Sequence, residues 1–129
     1  MGAAHVLKKT GTKIVAVEPA ASPTLSQGRV GHHRIQGIGP GFVPIILDRT
    51  LVDEVITITD EEAFMGAREI ARTEGLLVGI SCGAAFVASR RIAEKIGKDK
   101  TIVTVFPDGG ERYFSLQKKF ITPPNLPLN

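Results

Sequence analysis

The apolar positions of this chain fall into short continuous runs separated by periodic stretches. Lys13-Ile14-Val15-Ala16-Val17-Glu18 is almost unbroken and rich in β-branched residues, the pattern of a strand buried on both faces, and Pro19 ends it. Further strands are predicted over Val55–Ile58, Leu76–Ile80 and Thr101–Phe106. After the second strand, Thr59 and Glu62 form a Thr-x-x-Glu capping box. The apolar positions Ala63, Met65, Ala67, Ile70 and Ala71 then keep an approximate helical period up to the stop at Gly75. Another helix is predicted from about Cys82 to Ile96, with Gly97 as its stop.

The remaining segments are punctuated by glycine and proline. Residues 2–9 read as the last turns of a helix halted by Thr10-Gly11. No cap residue precedes them, so their first amides lack partners and an upstream portion is expected. Residues 19–43 carry Pro19, Pro23 and Pro40 and glycines at 28, 31, 37, 39 and 41. Loops of this length inside a domain usually serve a function. A short helical turn is predicted over Pro23–Gln27, with Ser22 as its cap and Pro23 at the first helical position. Residues 117–129 hold three prolines and read as an irregular tail to a domain over 1–116. The order helix, strand, loop, strand, helix, strand, helix, strand predicts the α/β class: an open, mostly parallel twisted sheet with helices on both faces. Such sheets bind ligands at the carboxyl ends of their strands, which directs attention to the residues after Ile80 and after Phe106.

Composition narrows the classes. With 129 residues, 43% of them hydrophobic and 22% charged, the chain suits one globular domain with a real core. The net charge of +3 comes from lysines spread thinly along the chain. No basic run with interleaved aromatics occurs, so nucleic acid is not an expected partner. Cys82 is the single cysteine, which gives no internal disulfide and no support for an oxidising compartment. No apolar stretch approaches the ~18 residues of a membrane span, so the expected location is cytoplasmic, with no membrane partner.

Several residues are candidates for chemistry. Ser81 stands where a strand meets a helix whose first turn, Cys82-Gly83-Ala84-Ala85, is built of small residues. That arrangement suits contact with a flat ligand, although the residues alone favour a plain N-cap serine. Gln36-Gly37-Ile38-Gly39-Pro40-Gly41-Phe42 is glycine-dense. It matches neither a dinucleotide fingerprint nor a phosphate-binding P-loop, and it reads equally as a substrate-lining loop or a tight surface loop. Pro107-Asp108-Gly109-Gly110-Glu111-Arg112-Tyr113 turns sharply after a strand, and here a turn with a structural ion pair is the favoured reading. Cys82 reads as a buried packing residue rather than a reactive thiol. His5, His32 and His33 complete no metal-ligand set.

Together these segments resemble the C-terminal portion of the cysteine synthases (O-acetylserine sulfhydrylases), fold-type II pyridoxal-phosphate enzymes. The resemblance runs from about Met1 to Ser115 through Ile14–Pro19, Ser22-Pro23 to Leu25-Ser26, His33 to Phe42, Val78–Ala85 and Phe106–Tyr113. It implies that residues 1–116 are part of the large domain of a β-substituting enzyme. Ser81 corresponds to the first serine of the family's Gly-Ile-Ser-Ser-Gly-Ala segment, which implies a hydrogen bond to the cofactor's pyridine nitrogen; Cys82 replaces the second. Gly37, with Gln36 beside it, is implied on the substrate side, and Pro107 more weakly along the cofactor side. Pro40 stands where alanine is usual, which implies a stiffer loop.

The implied parent reaction makes L-cysteine and acetate from O-acetyl-L-serine and sulfide with pyridoxal 5'-phosphate. A homodimer and an association with serine acetyltransferase are also implied. The family's Schiff-base lysine, its substrate-carboxylate loop and its phosphate cradle have no match here. The chain alone is therefore expected to bind the cofactor weakly or not at all and to supply no catalytic residue. The alternatives are a related cystathionine β-synthase portion, or a non-catalytic interaction protein that docks on an intact subunit.

Overall fold

A computed structural model describes residues 1–113 of the chain; the predicted irregular tail over 117–129 lies outside the described residues. The β-branched run after Lys13 forms β1 (Val15–Pro19), which pairs in parallel with β2 (Glu54–Ile58) in the register Val15 to Glu54 through Pro19 to Ile58. Asp53 sets that register at its start. Its carboxylate accepts from the Ile14 amide at 2.7 Å and from Lys8 Nζ at 2.6 Å, and its own amide donates to the Ile14 carbonyl at 2.9 Å.

Helix α1 (Gly2–Leu7) runs into a tight 3-10 turn over Lys8–Thr10 and stops at Gly11, whose φ of +79° is the left-handed stop the sequence predicts. The short helix α2 (Thr24–Gln27) follows β1, but Ser22 does not cap it. The buried carboxylate of Glu18 accepts from the Leu25 amide (2.7 Å), the Ser26 amide (3.0 Å) and the Ser26 hydroxyl (2.5 Å). A charged acceptor outcompetes a hydroxyl for orphan helix amides, and Ser22 Oγ is left buried without a partner among the described residues.

Helix α3 (Asp60–Thr73) begins with the predicted capping box: Glu62 N donates to Thr59 Oγ1 and Thr59 N donates to Glu62. The Thr59 amide is the first cause holding the Glu62 carboxyl below its ordinary range. The buried stripe is Ala63, Gly66 and Ile70, and Met65 is exposed. Helix α4 (Ile80–Ile96) starts two residues earlier than the sequence predicts, with Gly79 as N-cap. It lies against both strands and packs along α3. The core gathers Ile35, Ile58, Ala63, Ile80, Ala84, Val87, Ala88 and Tyr113. Arg91 ties the helices to the sheet, bonding the Thr57 carbonyl at 3.0 Å and the Glu62 carboxylate.

The α/β class holds, with a small parallel sheet, but two predicted strands are not formed as strands. Leu76–Ile80 contributes one antiparallel bridge, Val78 to Gly109, before α4 takes over. Thr101–Phe106 has no strand partner among the described residues, and Val103 and Val105 are 85% and 71% exposed. A β-prone sequence becomes a strand only when a neighbour completes its ladder.

Helices α3 and α4 approach closely at two glycines. A methyl group on Gly83 would sit 1.9 Å from the Ala63 carbonyl oxygen, and one on Gly66 would sit 2.6 Å from that of Gly83. Both contacts are with backbone, so only helix movement relieves them. Gly83→Ala is therefore expected to destabilise the chain by about 1–3 kcal/mol or more, as overpacking does. Gly2→Ala, where a methyl meets nothing within 4 Å, should leave the denaturation midpoint essentially unchanged. Equal midpoints for the two variants would refute this reading of the helix contact.

Candidate functional site

The start of α4 turns three consecutive residues to three different neighbours. Ser81, the second residue of the helix and 9% exposed, meets the glycine-dense loop: a methyl group built on Gly37 would lie 3.9 Å from Ser81 Oγ. Cys82 points to Asp108, with Sγ 3.5 Å from both its carbonyl oxygen and Oδ1. Gly83 faces α3. Ser81 is thus not the cap serine that the residues alone favour. Gly79 holds that position, and no hydrogen bond engages the Ser81 hydroxyl among the described residues.

The loop opposite is held open by its glycines. Gly37, Gly39 and Gly41 have φ of +91°, +61° and +80°, conformations that side chains rarely adopt. Its base is pinned: Ile35 is fully buried in the core and the Arg34 amide donates to Asp60 Oδ2 at 3.0 Å. Gln36 and Gly37 are exposed at the loop's rim. The structure brings Gly37 to Ser81. Pro107 lies on the exposed extended segment leading into Asp108.

Asp108 is the residue that sequence reasoning undervalued. Its Oδ2 accepts from the Tyr113 hydroxyl, and its carbonyl accepts from the Gly79 amide at 3.1 Å. The turn after Phe106 is thereby tied to the start of α4. The expected ion pair from Glu111 or Arg112 does not occur among the described residues. The signal for Asp108 was present but ordinary, since Asp-Gly reads as a turn wherever it occurs. Glu18 had a clearer signal, a carboxylate inside an otherwise apolar buried strand. His33, whose Nε2 meets the Gly39 carbonyl at 2.9 Å, had none.

The electrostatics of this corner favour protonated groups. Burial pushes the Cys82 thiol up from its ordinary value, so it is a packing residue and not a thiolate. The hydrogen bond to Asp108, then burial, push the Tyr113 phenol up to about 12.

A family model described as "Pyridoxal-phosphate dependent enzyme" matches residues 1–108. The chain belongs to the pyridoxal-phosphate dependent enzyme family. It is 47% identical over 116 residues to a cysteine synthase of Staphylococcus aureus (strain Mu50 / ATCC 700699), a match covering 88% of this chain and 37% of that protein. The crystal structure of a cysteine synthase from Entamoeba histolytica superposes with a TM-score of 0.89 at 41% identity, over 97% of this chain and 38% of that one. An O-acetylserine dependent cystathionine beta-synthase from Helicobacter pylori gives a TM-score of 0.80 at 41% identity, over 88% of this chain and 38% of that one. The chain therefore spans a little over a third of the length of these relatives. Ser81 offers a hydroxyl unengaged among the described residues, beside a backbone that carries no side chain at Gly37, a donor of the kind a ring nitrogen could accept from.

Tyr113 is the single tyrosine and the chain has no tryptophan, so an ultraviolet titration reads this phenol alone. Ionisation is expected near pH 12, and Asp108→Asn should move it back toward 10. Because the folded state holds the proton more tightly than the unfolded state, this contribution is intact below about pH 10 and is lost between about 10 and 12. A wild-type midpoint at the ordinary value near 10 would show that the Asp108 bond is absent in solution.

Proposed function

We propose that this chain supplies the ring-nitrogen side of the active site of a pyridoxal-phosphate dependent cysteine synthase. The parent reaction is replacement of the acetate of O-acetyl-L-serine by sulfide, giving L-cysteine. The observation that carries the reading is the approach of Gly37 to the unengaged hydroxyl of Ser81. Bound pyridoxal phosphate would act as an electron sink for electrons released at the substrate's α-carbon.

In this reading the Ser81 hydroxyl donates to the pyridine nitrogen. A hydroxyl, unlike a carboxylate, does not hold that nitrogen protonated, so the ring stays a milder sink suited to elimination and replacement at the β-carbon. Gln36 and Gly37 line the substrate side, where the bare backbone of Gly37 leaves room for a small amino acid. Pro107 closes the cofactor edge near Asp108. Cys82 stays protonated and serves as packing beneath Ser81. The nucleophile is sulfide in preference to a larger thiol, in keeping with the 47% identity to a cysteine synthase.

Two further proposals concern context. The run Phe42–Ile46 leaves Ile45 and Ile46 fully or largely exposed. Apolar patches of this kind favour a protein contact, which supports a homodimer and association with serine acetyltransferase. A cytoplasmic location accords with the lone buried Cys82 and with the absence, among the described residues, of any helix long and apolar enough to cross a membrane.

A chimaera tests the reading. The 116-residue matching segment of the Staphylococcus aureus cysteine synthase is replaced by that of this chain, and sulfide-dependent formation of cysteine is measured. Turnover is expected, and Ser81→Ala within the chimaera should lower it about tenfold to a hundredfold, the cost of one hydrogen bond to the reacting system. A folded, cofactor-loaded chimaera that forms no cysteine, or one indifferent to Ser81→Ala, would overturn the proposal.

A further inference from the structure

We infer that His33 is a positioning residue that holds the glycine-dense loop in register against Ser81. The inference rests on the reading that Gly37 and Ser81 face one ligand. A loop with three left-handed glycines is costly to order, because glycine has the most backbone freedom to lose. Among the described residues no backbone-to-backbone hydrogen bond closes Gly37–Gly41. The restraint comes from a side chain. His33 Nε2 meets the Gly39 carbonyl at 2.9 Å, spanning six residues and clipping the loop back onto its own base.

The other wall of the clip is the end of β1. A methyl group on Gly39 would lie 2.6 Å from Pro19 Cγ and 3.0 Å from His33 Nε2. The Gly39 backbone is thus wedged between a sheet residue and the imidazole, with no space to shift toward either. With Ile35 buried and Arg34 N bonded to Asp60, the chain is fixed before and after Gly37. Gly37 is then carried to its place over Ser81 with no bond of its own.

The clip also specifies a tautomer. A carbonyl oxygen only accepts, so the proton must be on Nε2. Nδ1 is buried without a hydrogen-bond partner among the described residues. An unpaired buried polar atom is costly, and the geometry it accompanies is the position of the loop.

The test uses the 129-residue chain without cofactor. Long-range proton–nitrogen correlation on chain labelled with 15N-histidine should show His33 protonated at Nε2. Backbone order parameters at Gly37, Gly39 and Gly41 should be near the rigid value of about 0.85 and fall below about 0.6 in His33→Phe. The proton contact between Gly37 Hα and Ser81 Hβ should be lost in the same variant. Ile35 and Ala84 should stay rigid throughout. His33→Gln, whose side-chain amide can donate to the Gly39 carbonyl, should restore both loop readouts.

An Nε2 without a proton, an unchanged loop in His33→Phe, or a loop as loose in His33→Gln as in His33→Phe would each overturn the inference. If His33→Phe fails to fold, the wild-type tautomer and His33→Gln decide the matter by the same criteria. Neither measurement involves the cofactor, so the clip can fail while the chimaera makes cysteine, and the reverse.

Discussion

The position of Ser81 depends on how closely two helices approach. In an α-helix each residue is turned about 100° from the last, so fixing the direction of one side chain fixes those of its neighbours. Gly83 has no side chain, and its backbone rests against the carbonyl of Ala63 and the amide of Ala67. That contact sets both the spacing and the rotation of α4. Two residues earlier, on a different side of the same turn, Ser81 must then face the glycine-dense loop, while Cys82 between them faces Asp108. The small residues at the start of α4 therefore serve packing on one side and access on another. Ala84, fully buried in the core, is the fourth direction of this turn.

Carboxylates hold the segments that the small sheet cannot. With two strands in the ladder, most loop amides have no strand to bond. Glu18 gathers the amides of α2, Asp53 joins the two strands at their start, Asp60 accepts the amide of Arg34, and Asp108 binds Tyr113 beside α4. Each tie links residues that are separated in sequence but lie at element ends. Charge-assisted bonds are stronger than neutral ones, and at the part-buried ties of Glu18 and Asp108, removing the carboxylate would leave donors without this partner. His33 carries the tie from the base of the glycine-dense loop, held by Asp60, on to Gly39.

The sequence showed some of this directly and some not at all. Local signals were reliable where the physics is local. The capping box at Thr59 and Glu62, the stops at Gly11, Gly75 and Gly97, and the strand read in Lys13–Glu18 each depend on a few neighbouring residues, although the strand runs over Val15–Pro19 and so includes the proline expected to end it. The cap of α2 was misread because Ser22 is adjacent and Glu18 is not, and adjacency is all a linear reading weighs. Met65 was placed in the buried stripe because it is apolar. Gly66 was overlooked because its value lies in what it lacks, which becomes visible only when Gly83 stands opposite. The meeting of Gly37 with Ser81 is likewise a property of tertiary structure. Residue spacing left both the loop and the serine open to ordinary explanations, and the ordered likeness to a family is what joined them.

The two unformed strands follow from the same distinction. Thr101–Phe106 has the composition of a buried strand, and its backbone runs without helix or turn through Phe106. Val103 and Val105, two positions apart, fall on one side of an extended chain, and both are largely exposed. β-branched side chains favour the extended conformation locally, but burial and a ladder require another strand alongside. The run keeps the composition of a strand without a ladder among the described residues, and exposed β-prone runs of this kind are prone to pairing with other chains. This chain covers 38% of the Entamoeba histolytica enzyme it superposes on. The composition of Thr101–Phe106 is that of a buried strand, and no strand among the described residues lies alongside to bury it.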